Sequence, residues 1–262
     1  MARNEPINLT RQLRFHLESL RAAGVLFVPR GEPLKFHALP LQQESASVTI
    51  PVPAPMAAPE PPPDPSIERR RELTVLAAEI ATCDKCPELS STRTQTVFGV
   101  GPLNAEVAFV GEAPGADEDR QGEPFVGKAG QFLTRIINGC GFKREEVYIF
   151  NTLKCRPPGN RTPTPDECTN CRPFFEKQFD LVKPKFVVAL GGTAAKSLLQ
   201  TTTGISQLRG KIYEYRGVPL ICTFHPSFVM RDESGALKRD VWEDMKMLLR
   251  LMGREIPKPK AG

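Results

Sequence analysis

Short apolar segments that alternate with helix-like segments constrain the fold of this chain most strongly. Apolar runs occupy residues 107–110, 147–150, 186–190 and 218–224. Such runs are typical of strands buried on both faces, and helical crossovers between them make the strands parallel. We therefore predict an α/β fold, with three α/β/α layers around a small central parallel sheet. The predicted helices cover residues 67–82, 128–139, 166–181 and 242–251, with a further helix directly after Gly191 and Gly192.

The N-terminal region carries a different pattern. Leucines recur at helical intervals after Asn8, and Gly24 offers a stop, which predicts an amphipathic helix over residues 8–23. The leucines are Leu9, Leu13, Leu17 and Leu20. The apolar stripe of this helix suits docking onto the main domain, docking onto a partner protein, or a role as a dispensable surface appendage.

A proline-rich segment separates this helix from the main domain. Proline fixes φ and lacks a backbone donor, so residues 51–65 are predicted to be extended and solvated. These changes in composition divide the chain into four parts. They are an N-terminal extension (1–44), a proline-rich linker (45–66), a main domain (67–252) and a C-terminal tail (253–262).

Composition narrows the functional classes only a little. A hydrophobic content of 40% in 262 residues is enough for one ordinary domain with a core. No run approaches the roughly 18 apolar residues of a membrane span, so we expect no membrane segment. We expect the protein to lie in the reducing cytoplasm, because the polar N-terminus lacks the apolar core of a signal peptide. We also expect it to be a monomer. The net charge of +5 is compatible with a polyanionic partner but does not require one.

Four cysteines are arranged as metal ligands. Cys83 and Cys86 form a Cys-x2-Cys pair, and Cys155 and Cys171 bracket a basic, proline-rich loop. In a reducing compartment this spacing favours a metal over disulfides. Four thiolates suit both tetrahedral zinc and an iron–sulfur cubane, and the residues alone leave both open. Cys168 is an alternative ligand to Cys171.

Polar residues follow three of the predicted strands. The turn from Gly111 to Gly115 follows the first strand, Asn151 closes the second, and His225 follows the last. Ligands of parallel α/β sheets bind beyond the carboxyl ends of the strands. We therefore expect these residues to converge on one site.

Taken together, these segments resemble one enzyme family. The segments are EAPGADED at 112–119, PFVGKAG at 124–130, NTLKCRPPGNR at 151–161 and HPS at 225–227. In this order, and with the four cysteines, they resemble a family 4 uracil-DNA glycosylase over roughly residues 70–252. The resemblance implies a monofunctional DNA repair hydrolase that removes uracil from single- or double-stranded DNA, and a [4Fe-4S] cluster held by Cys83, Cys86, Cys155 and Cys171.

The resemblance and the chemistry of uracil together assign the base site. The amide of Asn151 can donate to uracil O4 and accept from N3-H. Phe125 matches the aromatic that stacks on the base, and Glu118 matches a residue that crowds the C5 edge. A neutral His225 is expected to donate to O2 of the departing uracil. The full predicted set is Gly111, Glu112, Ala113, Glu118, Phe125, Asn151 and His225, with His225 and Glu112 as catalytic candidates.

The role of Glu112 stays open between polarising water, binding the base edge and shaping the turn. Contacts to DNA are predicted for Arg156, Arg161, Ser227 and Arg231, with Phe228 near them as a wedge into the base stack. Two other classes of function compete with the glycosylase. One is a non-catalytic module that binds nucleotides or damaged DNA and carries a structural zinc, and the other is a scaffold that recruits a partner through the leucine-striped helix.

Overall fold

Five strands form one sheet in the computed structural model, which describes residues 65–257. The strands are β1 (Val107–Gly111), β2 (Tyr148–Asn151), β3 (Phe186–Leu190), β4 (Ile212–Tyr215) and β5 (Val218–Thr223). Their order across the sheet is β2-β1-β3-β5-β4. The pairs β1–β2, β1–β3 and β3–β5 are parallel, as predicted, and β4 adds an antiparallel edge to β5.

The edge strand β4 was not predicted. It is short and only partly buried, with Ile212 about half exposed and Tyr215 buried, so it has no continuous apolar run. Arg216 and Gly217 join it to β5, and both have positive φ, 50° and 78°. Two consecutive left-handed residues form the tight turn that suits a two-residue hairpin.

Helices cover both faces of the sheet. They are α1 (Pro65–Ala81), α2 (Pro87–Thr92), α3 (Ala116–Gln121), α4 (Lys128–Gly139), α5 (Pro165–Val182), α6 (Gly192–Leu199), α7 (Ile205–Leu208), α8 (Pro226–Val229) and α9 (Ala236–Leu251), with 3-10 turns at Arg144–Glu146 and Pro158–Asn160. The long predicted helices are present, although α9 begins at Ala236 instead of residue 242. The short helices α2, α3, α7 and α8 were missed because one or two turns carry too little hydrophobic periodicity.

Predictions for the N-terminal region cannot be compared with this fold. The predicted helix at 8–23 lies outside the described residues, and so does residue 258 onward of the predicted tail. The predicted linker, residues 45–66, lies outside them as far as residue 64. Its last two residues belong to helix α1, which begins at Pro65. Within residues 65–257, no helix has both the length and the apolar character needed to cross a membrane.

Two apolar cores lie on opposite faces of the sheet. Val107 and Phe109 of β1 pack into one core, and Ala108 and Val110 pack into the other. This follows from the alternation of side chains along a strand. Burial of each large apolar side chain stabilises the fold by about 1.5–3 kcal/mol. The rigid sheet between the two cores fixes the strand ends from which the site is built.

Helix α5 has a strong start. The Thr164 hydroxyl accepts from Glu167 N at 3.3 Å, and the Glu167 carboxylate accepts from Thr164 N at 2.8 Å. This capping box satisfies two backbone donors that the first turn would leave unpaired. Helix α5 also carries Cys171 and packs on α1 through a small separate apolar cluster. The capped helix therefore holds one of the predicted metal ligands in place.

Candidate active site and metal centre

The carboxyl ends of β1, β2 and β5 open onto one cleft of about 560 Å³. Its lining includes six of the seven predicted base-site residues: Glu112, Ala113, Glu118, Phe125, Asn151 and His225. Gly111 lies directly beneath Phe125 and Asn151. Of the predicted DNA contacts, Arg161, Ser227 and Arg231 also line the cleft, whereas Arg156 does not.

Gly111 allows two site residues to meet. It is the register partner of Asn151 across the β1–β2 pair. A Cβ at this position would lie 2.3 Å from Asn151 Oδ1 and 2.6 Å from the Phe125 ring. Any other residue would therefore push the amide and the ring apart.

Phe125 has a strained backbone that Glu118 supports. Phe125 has a φ of +54°, which is unusual for a bulky residue, and its side chain is buried. The next two residues, Val126 and Gly127, donate their N–H groups to Glu118 Oε1 at 2.9 and 3.0 Å. The other carboxylate oxygen of Glu118 accepts from Gly115 N at 3.1 Å. Glu118 thus ties the turn after β1 to the loop that presents the aromatic ring.

Asn151 has an unused acceptor. The residue is 1% exposed, and its Oδ1 has no hydrogen-bond partner among the described residues. An unsatisfied buried acceptor costs about 1–3 kcal/mol, so such atoms are uncommon away from functional sites. This oxygen is suited to accept from an N–H group of a ligand.

His225 is neutral and has a defined tautomer. Burial lowers the pKa of His225 to about 4; the Glu118 carboxylate opposes this shift and Arg231 reinforces it. Ser227 N donates to Nδ1 at 3.2 Å, and the Ser227 hydroxyl lies 2.7 Å from the same nitrogen. Because Nδ1 is the acceptor, the proton of the neutral ring is on Nε2.

Gly191 and Phe125 flank the imidazole. Gly191 has a φ of +92°, and a Cβ there would lie 2.8 Å from the Cβ of His225. The ring of Phe125 is tilted by 35° to the imidazole, with its centroid 5.8 Å away. At the end of β5, two residues before His225, Thr223 Oγ1 donates to the buried Asp244 at 2.7 Å.

The four predicted metal ligands surround a second cavity. Cys83 and Cys86 come from the segment between α1 and α2, Cys155 follows β2, and Cys171 lies in α5. All seven cysteines are free of disulfides, and Cys168 does not line this cavity. Within residues 65–257, however, no three Cys, His, Asp or Glu side chains converge as ligands of one ion.

Hydrogen-bond donors point at three of the sulfurs. Arg93 Nη1 donates to Cys155 Sγ at 3.0 Å, Lys154 N to Cys171 Sγ at 3.3 Å, and Asn170 Nδ2 to Cys86 Sγ at 3.6 Å. Burial raises the pKa of Cys171 to about 12 against the opposing charge of Lys154, and it also raises that of Cys155. The donors suit thiolates, but their ionisation in this cavity requires added positive charge.

The predicted DNA contacts differ in how free they are. Arg161 is paired at 2.7 Å with both Glu88 and Glu167. Arg156 Nε donates to Asn160 Oδ1 at 2.7 Å, and Ser227 is engaged with the imidazole. Arg231 is exposed, belongs to no ion pair in the described part of the chain, and lies 5.9 Å from the Phe228 ring. Phe228 is itself 46% exposed at the rim of the cleft.

Two residues that shape the site were not predicted from the sequence. Gly191 was taken only as the start of a helix, although it seats His225. Lys154 was not considered, although it is 1% exposed and donates to the carbonyl of Asn151. Its place in the NTLKC segment, between the predicted site residue Asn151 and the predicted ligand Cys155, was the available signal.

Comparisons with known proteins identify the family of this chain. Residues 98–246 match the family model of the uracil DNA glycosylase superfamily. A type-4 uracil-DNA glycosylase of Thermotoga maritima is 43% identical over 180 residues, covering 68% of this chain and 93% of the relative. Type-4 enzymes of Archaeoglobus fulgidus and Pyrobaculum aerophilum are 42% and 40% identical, covering 70% and 67% of this chain and 94% and 92% of the relatives. The chain therefore belongs to the uracil DNA glycosylase superfamily, among the type-4 members.

Proposed function

We propose that this chain hydrolyses the N-glycosidic bond of uracil in DNA, releasing uracil and leaving an abasic site for base excision repair. The observation that carries the proposal is the meeting of Phe125, Asn151 and His225 on one cleft. An aromatic face, an amide with an unused acceptor and a neutral imidazole complement the face, the N3–O4 edge and the O2 atom of uracil.

Asn151 selects the base. Its Oδ1 accepts from N3-H of uracil, and its NH2 group donates to O4. Cytosine has an amino group at C4 and no proton on N3, so both contacts would be lost. Each unpaired buried group costs about 1–3 kcal/mol, which is enough to reject cytosine. Phe125 adds stacking worth about 1–3 kcal/mol.

His225 stabilises the leaving group. Bond cleavage places negative charge on the departing uracil, largely at O2, and the Nε2-H of the neutral imidazole donates to this oxygen. One preorganised donor of this type contributes about 2.7–4 kcal/mol. Glu112 lies in the same cleft, and we assign it to orienting the attacking water.

The thiol cavity is proposed to hold a [4Fe-4S] cluster. Four thiols around one cavity with donors aimed at three of the sulfurs fit a cluster, whose charge would offset the burial of thiolates. The cluster would supply a cross-link between α5 and the segments after α1 and β2, while none of its ligands lies in the cleft. Visible absorbance with bound iron supports this assignment, and colourless protein with stoichiometric zinc contradicts it.

Uracil-containing DNA is the proposed partner. Uracil must leave the helix to reach the cleft, at a cost of a few kcal/mol that is smaller at a mismatch. Phe228 is placed to fill the space in the base stack, and Arg231 to contact phosphate. Single-stranded DNA would avoid most of this cost.

The decisive test is base release from defined oligonucleotides. Purified protein is incubated with strands carrying one uracil, and alkali is then added to cleave any abasic site. We expect a break at uracil only after alkali, and none at cytosine or thymine in matched strands. No alkali-sensitive site at any excess of enzyme would reject the proposal in favour of the binding module.

A further inference from the structure

Lys154 is a lysine buried at 1% exposure between the cleft and the thiol cavity. Its Nζ donates to Gln178 Oε1 at 2.6 Å, to the Asn151 carbonyl at 2.9 Å and to the Phe98 carbonyl at 3.2 Å. Burial lowers the pKa of Lys154 to about 7, and the charged form of its amine has three protons and no acceptor. Each proton therefore has one partner.

The surroundings of Lys154 are built for this group. Gln178 is fully buried, and its amide nitrogen donates to the Phe98 carbonyl and to the Tyr148 hydroxyl, both at 3.0 Å, which orients its oxygen toward Nζ. The rings of Phe150 and Phe175 lie with their centroids 5.1 and 5.8 Å from Nζ. No ion pair in the described part of the chain includes Lys154. A long apolar side chain would fill this space without the cost of burying a charge, so packing alone does not explain the lysine.

Lys154 touches both functional regions. Its backbone N donates to the sulfur of Cys171, and Cys155 is the next residue. Its side chain turns back to the carbonyl of Asn151. The side-chain oxygen of Asn151 has no partner of its own, so the direction of that amide depends on where the backbone is held.

We propose that Lys154 is a positioning residue that fixes the Asn151 peptide, and with it the base-reading amide, to the segment that carries the metal ligands. Its effect on base selection rests on the proposed function. Removing the ammonium frees the Asn151 carbonyl, and the amide then samples orientations that do not match uracil.

The test replaces Lys154 by a residue of similar length without donors. Lys154→Met should lower kcat/KM for uracil release roughly 10- to 100-fold, since a displacement of about 1 Å can cost about 10²-fold. It should also weaken the preference for uracil in binding. This preference is the Kd for an oligonucleotide with 2′-fluoro-2′-deoxycytidine divided by the Kd for one with 2′-fluoro-2′-deoxyuridine. The glycosidic bonds of both nucleotides resist cleavage. The absorbance of the metal centre should be retained. Tyr148→Phe is the matched control, because it removes a hydroxyl from the same buried network while Gln178 is still held by the Phe98 carbonyl and Lys154 keeps its three acceptors, so the ratio should be unchanged.

Hydrogen exchange provides a readout that does not depend on catalysis. Peptides covering residues 151–154 should exchange faster in Lys154→Met than in Tyr148→Phe. If Lys154→Met does not fold, Gln178→Leu removes the acceptor at 2.6 Å and should produce the same changes in milder form. The proposal would be overturned if Lys154→Met changed neither the exchange nor the Kd ratio. It would also be overturned if Tyr148→Phe changed both to the same extent as Lys154→Met. Uracil release by the unmodified enzyme tests the proposed function separately, and without such release the exchange data still decide the role of Lys154.

Discussion

The cleft and the thiol cavity differ in what holds their side chains. In the cleft, close contact with glycines, hydrogen bonds accepted by Glu118 and a hydrogen bond donated by Ser227 hold the Phe125 and His225 rings before any ligand binds. In the cavity, the thiols come from three separate segments of the chain, and burial raises the pKa of Cys155 and Cys171 and so disfavours their thiolates. The protein alone therefore preorganises the cleft, whereas the thiol region depends on the group it binds.

The largest expected effect is in the cleft, on His225. His225→Ala removes the proposed donor to the leaving group and should lower kcat about 10²- to 10³-fold. Because the cleft is held by other contacts, the melting temperature and the visible spectrum should stay close to those of the unmodified protein. Single-turnover rates with a uracil oligonucleotide measure the loss. An unchanged rate would remove His225 from the mechanism.

A substitution in the thiol cavity should affect the stability of the protein and not the chemistry in the cleft. Cys171→Ser is expected to lose bound iron and visible absorbance and to lower the melting temperature, by about 2–4 °C for each kcal/mol of stability lost. Cys168→Ser is the matched control, since Cys168 lies in the same helix but does not line the cavity. If Cys168→Ser loses the centre and Cys171→Ser keeps it, the ligand assignment is wrong.

The same contrast explains what the sequence could predict. Strands β1, β2, β3 and β5 coincide with apolar runs in the sequence. Because these strands were expected to be parallel, Asn151 and His225, which lie at the carboxyl ends of two of them, could be predicted at the same edge of the sheet. The roles of Gly191 and Lys154 were not visible, because a close approach between distant segments and a hydrogen bond across the fold leave no local pattern. Strand β4 was also not visible, because it is short and half exposed and therefore has no continuous apolar run.

Replacing Asn151 tests whether the cleft selects uracil through the side-chain amide of this residue. Asn151→Asp replaces the proposed donor to uracil O4 by an acceptor, so uracil release should slow and selectivity over cytosine should fall. The loss of one buried hydrogen bond, about 1–3 kcal/mol, corresponds to about 5- to 150-fold. Competition between uracil and cytosine strands measures the ratio. Full selectivity in Asn151→Asp would show that the base is held by other groups.

The pH profile tests the state of the imidazole in the intact protein. The pKa of His225 is about 4 in the fold, below the ordinary value near 6.5, so the neutral donor persists as pH falls through 6.5. We expect kcat/KM to lack an acid limb near 6.5 and to fall only toward pH 4. In that interval the unfolded chain binds a proton that the folded chain does not, so the stability contributed by His225 is present above 6.5 and is lost as pH falls toward 4. An acid limb near pH 6.5 would contradict the buried neutral form.

The smallest expected effect separates two arginines at the cleft. Arg231 is exposed and outside the ion pairs of the described residues, whereas Arg161 is held by Glu88 and Glu167. If Arg231 contacts a phosphate, Arg231→Ala should reduce the slope of log K against log salt concentration by about 1. Arg161→Ala should change that slope less and lower the melting temperature more, because it leaves the mostly buried Glu167 carboxylate without its cation. Binding titrations of a uracil oligonucleotide at several salt concentrations measure both. A larger change of slope in Arg161→Ala would mean that DNA displaces the carboxylates, and that the cleft reorganises where we infer that it is rigid.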